Sequence, residues 1–253
     1  MQISRDDRVR MERAHVQAWP ALRTATIDGW LWRSSGGGSQ RANSVSTIDY
    51  HGATPEAAIA QAESCYDAVG EPARFHTFNE TSPPGLADLL RQRGYQPGEP
   101  TTTMFKRIEA TGGALDVETR DDTWTEWRDV YLGEITTNRR AVNALILDRM
   151  PRPRAFFGCR RGGEIVATAL CVVSFGCAVI ECVATRSAAR RQGAAQSVLA
   201  GLERWATEHA NQGGQQSADW IGLQVATGNA PAVALYQRLG FVAGAANSFW
   251  ERR

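Results

Sequence analysis

The chain has 253 residues, 43% of them hydrophobic and 22% charged, a balance that suits one large or two modest globular domains. A formal net charge of +1 offers no overall field to gather nucleic acid or an anionic membrane. No apolar run approaches the ~20 residues of a membrane span, and the charged stretch Met1–Arg8 lacks a signal-peptide core. The cysteines, Cys65, Cys159, Cys171, Cys177 and Cys182, have no metal-ligand spacing, and four lie in apolar, strand-like context. Buried free thiols, no metal and a cytoplasmic location are expected.

In chain order, the first distinctive stretch is Asp28 to Val45, which reads as two strands joined by a Gly/Ser loop. Trp30, Arg33, Arg41 and Asn43 are candidate substrate contacts there; the other reading is a hairpin core with solvated arginines. Thr54 to Glu63 reads as a helix that begins without a glycine turn, and Ala73 to Asn79 as a strand ending in asparagine. Gly94-Tyr95-Gln96-Pro97-Gly98, followed by the strand-like Thr101 to Arg107, echoes Gly240-Phe241-Val242-Ala243-Gly244 and Ser248 to Arg252. Matching Gly94 to Gly240 also puts Leu89-Leu90 on Leu235-Tyr236, a repeat at about 146 residues that reads as duplication of a domain. The joint falls at Thr111-Gly112-Gly113, dividing the chain into 1–112 and 113–253.

The second half carries the strongest signals. Ala178 to Thr185 is a β-branched run that leads to Arg190-Arg191-Gln192-Gly193-Ala194-Ala195. Val198, Leu199, Leu202, Trp205, Ala206 and His209 then recur at helical spacing, with a stop near Gln212-Gly213-Gly214. A strand, a small-residue turn and a helix start make an anion site, because the first helical N–H groups have no partner and the dipole is positive there. Ile221 to Thr227 reads as another strand. From Asn229 a helix follows, with Pro231 in its first turn and Gly240 just past its end.

These two segments resemble the GNAT superfamily of acyl-CoA N-acyltransferases. Arg190, Gly193 and Ala195 match its pyrophosphate loop, Arg/Gln-x-x-Gly-x-Gly/Ala. Asn229 to Phe241 matches its Asn-x-x-Ala-x-x-Leu-Tyr-x-x-x-Gly-Phe segment without a gap. The resemblance is strong over about 178–245 and weaker back to about 115. It implies an α/β (α+β) GNAT fold, a mixed and mostly antiparallel twisted sheet flanked by helices, in tandem with a degenerate GNAT-like first half lacking a cofactor loop.

The resemblance also implies chemistry: an acetyl-CoA-dependent N-acetyltransferase in which a small-molecule amine attacks the thioester directly. The diphosphate would lie on Arg190, Arg191, Gln192, Gly193, Ala194 and Ala195. Pantetheine would lie between the strands at Val179–Thr185 and Ile221–Thr227, bonded by backbone near Cys182, Val183 and Thr185. Tyr236 would donate to the departing thiolate, and Asn229 would bond cofactor or backbone, or simply cap its helix. Glu181, in an otherwise apolar strand, is a candidate base whose pKa burial would raise, unless a structural arginine holds it. A protein Lys or N-terminal acetyltransferase and a non-turnover acyl-CoA-binding module stay open as alternatives, as does a monomer or homodimer. The four histidines form no motif.

Overall fold

A computed structural model describes residues 2–109, 117–210 and 218–252. The joint expected at 111–113 and the helix stop at 212–214 lie outside the described residues. The first half runs α1 (Arg5–Ala18), β1 (Arg23–Ile27), β2 (Trp30–Ser34), β3 (Val45–Ser46), α2 (Pro55–Asp67), β4 (Arg74–Phe78), α3 (Leu86–Gln92), β5 (Tyr95–Pro97) and β6 (Thr101–Arg107). The second runs β7 (Val117–Arg120), α4 (Thr125–Glu134), α5 (Thr137–Leu147), β8 (Arg154–Arg161), β9 (Glu164–Ser174), β10 (Cys177–Thr185), α6 (Ala194–Ala210), β11 (Trp220–Ala226), α7 (Ala230–Arg238) and β12 (Val242–Arg252).

All these strands join one mixed sheet in the order β1-β2-β3-β4-β12-β6-β11-β10-β9-β8-β7, with β5 on the side of β12. Its centre is an exchange of strands. The last strand of the first half, β6, pairs antiparallel with β11, and the last strand of the second, β12, pairs antiparallel with β4. The two exchanged strands meet antiparallel, with Thr102 opposite Ala246. The central order β4-β12-β6-β11 therefore reads the same from either end when the halves are interchanged. The parallel pair β3–β4 stands on one side where the parallel pair β10–β11 stands on the other.

Side-chain alternation decides which face each strand gives to which helices. Along β8, Phe157 packs with Leu199 and Leu202 of α6, while neighbouring Phe156 packs with Trp127 and Val130 of α4. Helix α1 crosses from the first half onto that second face, burying Met11, Ala14 and Ala18 there. A Cβ on Gly222 of β11 would lie 2.6 Å from the Met11 terminal methyl, so a side chain there would push the tip of Met11 aside. The first half keeps its own core, where Ile59, Tyr66 and Leu90 of α2 and α3 pack on Trp30, Phe75 and Tyr95. All five cysteines are free, four of them buried. Among the described residues no helix is long and apolar enough to cross a membrane.

Candidate active site

The site begins where two parallel strands part. β10 and β11 are in register only from Cys177 to Val179 against Trp220 to Gly222, although both continue for several residues. A bulge drives them apart. The register of β10 on β9 shifts between Glu181 and Ala184, and Cys182 takes a left-handed φ of 54°. One residue too many on β10 bends that strand away from its neighbour. The Thr168 hydroxyl donates to the Cys182 carbonyl at 3.1 Å and fixes the bend from the opposite side.

The gap opens into a cavity of about 1050 Å³. One wall is Val183, Ala184 and Thr185, the other Gln224, Val225 and Ala226, and α7 closes it with Asn229, Ala232, Leu235 and Tyr236. At one end lies the turn into α6. The first intrahelical bond there runs from Ser197 N to the Gly193 carbonyl at 2.9 Å, so the amides of Ala194, Ala195 and Gln196 precede the helical ladder. Gly193 sits at φ 81° with nothing within 4 Å of where a Cβ would stand. The helix start thus opens on free space, a cradle that fits an anionic phosphate group.

The two loop arginines differ. Arg190 donates to Glu134 at 2.7 Å and to the Thr185 carbonyl at 3.3 Å, which ties the loop to α4. Arg191 is exposed, at φ 61°. Gln192 bonds back to the Ala188 carbonyl at 3.1 Å and is absent from the cavity wall, unlike the other five residues of the loop motif. Asn229 lines the cavity and caps α7 at once, accepting from Ala232 N at 3.3 Å.

Tyr236 is 7% exposed, edge-on to Phe241 with ring centroids 5.9 Å apart. Burial, reinforced by the charge of Glu181, pushes its phenol up to about 12. The group stays a protonated donor throughout the neutral range.

Three sequence expectations need correction. Glu181 is buried as expected, but both its oxygens are held at 2.5 Å by the guanidinium of Arg41. That charge overcomes desolvation and lowers the carboxyl to about 2, so Glu181 is the ionised half of a buried pair and a poor base. His15, 3.9 Å away, is kept neutral by burial. Cys182 does not line the cavity: its carbonyl is taken by Thr168, and burial pushes its thiol far up. Of the four candidate substrate contacts, Arg41 lines a smaller cavity beside this one, and the other three line neither. Trp30 is fully buried against Tyr50 and Phe75. Arg33 is buried beside the carbonyls of Ser44 and Val16, which it meets at 3.3 and 3.4 Å. Asn43 clamps the Gly/Ser loop, accepting from Ser35 N at 2.8 Å and donating to the Ser39 carbonyl at 2.8 Å.

That clamped loop forms a second cavity of about 450 Å³. Gly38, Ser39, Gln40 and Arg41 line it together with Thr101 of β6 and Phe249 of β12. Arg139, Gln224 and Ala226 line both cavities, so the two abut. Sequence reasoning missed Tyr131, Glu134 and Arg139 on α4 and α5 and Gln224 on β11. The alternation of Ile221, Leu223 and Val225 could have flagged Gln224 as facing away from the core; no motif marks the others.

Residues 117–241 match the model of the Acetyltransferase (GNAT) family. Over 245 residues the chain is 29% identical to a protein of Bacillus subtilis (strain 168) described as uncharacterized N-acetyltransferase YobR, covering 93% of this chain and 95% of the relative. Among solved structures, a GCN5-related N-acetyltransferase from Kribbella flavida superposes with a TM-score of 0.70 at 17% identity, covering 97% of this chain and 95% of that one. A tandem GNAT protein from the clavulanic acid biosynthesis pathway superposes with a TM-score of 0.58 at 14% identity, over 77% of this chain and 68% of the other. These likenesses establish the fold.

Proposed function

We propose, on the premise that residues 117–241 belong to the acetyltransferase (GNAT) family and make this chain an acyltransferase, that it moves an acetyl group from acetyl-CoA to the amine of a small molecule by direct attack. The observation that carries this reading is the pair of abutting cavities. The larger has a helix start at one end and Tyr236 in its wall; the smaller is walled mainly by the first half and the exchanged strands. In this reading the first half is a GNAT-like unit without its own cofactor loop, which supplies the acceptor side.

The residues divide the work. Amides of Ala194, Ala195 and Gln196 face the diphosphate, with Arg191 beside them. The outward edge of Val183–Thr185, unpaired with β11, offers backbone groups to pantetheine amides. In the transfer the amine nitrogen bonds to the thioester carbon, the carbon–sulfur bond breaks, one proton leaves nitrogen and one arrives at sulfur. Tyr236 is the donor toward sulfur. Its phenol at about 12 lies above a thiol near ~8.5, so it stabilises the departing thiolate as a hydrogen-bond donor, without needing complete transfer.

The test is a panel of small amines with acetyl-CoA, following free thiol and the mass of the N-acetyl product. Bound CoA without thiol release across the panel would refute turnover. Because Glu181 is ionised across the working range, no limb of the pH–rate profile should fall between pH 3 and 7 through its titration; a carboxylate limb abolished by Glu181→Gln would return it to the role of base. Gly193→Glu is expected to weaken CoA binding by at least ~100-fold, since it places an anion on the helix start. Gly193→Ala carries the same left-handed strain without the charge and serves as the control. Unaltered affinity in Gly193→Glu, measured by calorimetry, would reject the loop assignment.

A further inference from the structure

We propose that the acceptor amine carries a carboxylate and that Arg139, at the junction of the two cavities, receives it; this rests on the acetyl-transfer reading of the same site. Arg139 is an unmatched charge. Arg41 in the smaller cavity is matched by Glu181, and Arg190 in the larger by Glu134; Arg191 and Arg238 line the larger cavity alone, away from the residues that the two share. Arg139 has no ion-pair or hydrogen-bond acceptor for its side chain among the described residues, and its buried Nε is an orphan donor. No acidic side chain lines the smaller cavity.

The local backbone adds to the same sign. Arg139 lies in the first turn of α5, a turn with no acidic residue and no side-chain cap from Thr136. A cation on the positive end of a helix is disfavoured unless an anion sits opposite, and neighbouring Arg140 turns away to the carbonyls of Ile135 and Gly133. Across the junction Gln224, which lines both cavities, also has a buried side-chain nitrogen without an acceptor. Unmet donors on two sides of one junction ask for an acceptor-rich, negatively charged group. A carboxylate meets the planar fork of a guanidinium with two oxygens. A cavity of about 450 Å³ holds a molecule of amino-acid or small-peptide size. Its carboxylate on Arg139 would leave the amine free to reach the larger cavity, whose wall Arg139 shares.

The test compares amino acids with their primary amides and with the corresponding decarboxylated amines, in one thiol-release assay. The carboxylated members should show kcat/KM about 100-fold above their amides, the worth of a charge-assisted bidentate contact. Arg139→Gln should remove most of that preference, acting mainly on KM for the acid, while Arg139→Lys restores part of it. Because Arg139 also lines the larger cavity, CoA affinity is read by calorimetry alongside, and the loss of acid preference should exceed any loss there. Amides used as well as acids, or a variant that depresses all three classes equally, would overturn the assignment. N-acetyl amino acids and their amides, titrated onto the CoA-bound protein, separate the two claims. Selective binding of the acids without any thiol release would leave the carboxylate site standing and refute the transferase reading. Binding of neither, or of both equally, would refute the site.

Discussion

Tyr236→Phe is expected to lower kcat by roughly 100-fold, the scale of losing one positioned donor to a developing anion, while the dissociation constant for CoA stays within about twofold. The split follows from where the hydroxyl sits. The ring is packed against Phe241 in the core and remains so as phenylalanine, so stability and the cavity wall are conserved. The hydroxyl alone disappears, and in the proposed transfer it acts on a charge that exists only as the carbon–sulfur bond breaks. A preference for the departing thiolate over bound thioester is a preference for the transition state. Thioesters with more acidic leaving thiols provide a second reading, because they need the donor less and should narrow the gap between wild type and variant. An unchanged kcat, or an equal loss with every leaving group, would show that solvent or another side chain supplies the proton.

The parts of this site that were legible in the sequence are local. The strand–turn–helix at 178–210 and the cap–helix–glycine segment at 229–240 are short, and their conformations are dictated by the residues themselves. Asn229 caps because its side chain reaches two residues past its neighbour. Gly193 turns because its φ of 81° suits glycine. The misread residues all depend on distant partners. Glu181 in isolation is a carboxylate in an apolar strand, for which desolvation predicts a raised pKa; Arg41, 140 positions earlier, reverses the sign. Arg33 and Asn43 have the composition of ligand contacts, yet they serve the carbonyls and amides of their own loop.

The strand exchange was not legible for a related reason. Ladder bonds are made by backbone, so the alternation along β6 suits β5's neighbourhood, β12 or β11 equally well. The repeat around Gly94 and Gly240 is a likeness of sequence between the halves. It said nothing of whether each keeps its last strand. The exchange is nonetheless what brings Thr101 and Phe249 to the smaller cavity, and with them the Gly/Ser loop of the first half.

The second large expected effect concerns the pair that links the halves. Arg41→Ala should cost about 3–5 kcal/mol of folding stability at pH 7, the range for leaving a buried charge without its partner. Glu181 is 6% exposed, its oxygens are spent on Arg41, and His15, 3.9 Å away and lowered by burial, is a neutral neighbour while Arg41 is present. The pH dependence should change sign as well. In the wild type the Glu181 carboxyl is lowered from 4.5 to about 2, so its contribution, about 3 kcal/mol, is fully present above pH 4.5 and fades as pH falls toward 2. Without Arg41, desolvation raises the same carboxyl, and the variant should grow more stable as acid protonates it. Urea melts of both proteins at pH 5 and pH 7 read this directly: the gap between them should shrink at the lower pH. The double variant Arg41→Ala/Glu181→Leu, with no buried charge to strand, should recover much of the loss. A gap that is the same at both pH values, or a double variant no better than the single, would mean that Arg41 stabilises the fold through its stacking on Trp19 and its place in the loop, with the ion pair contributing little.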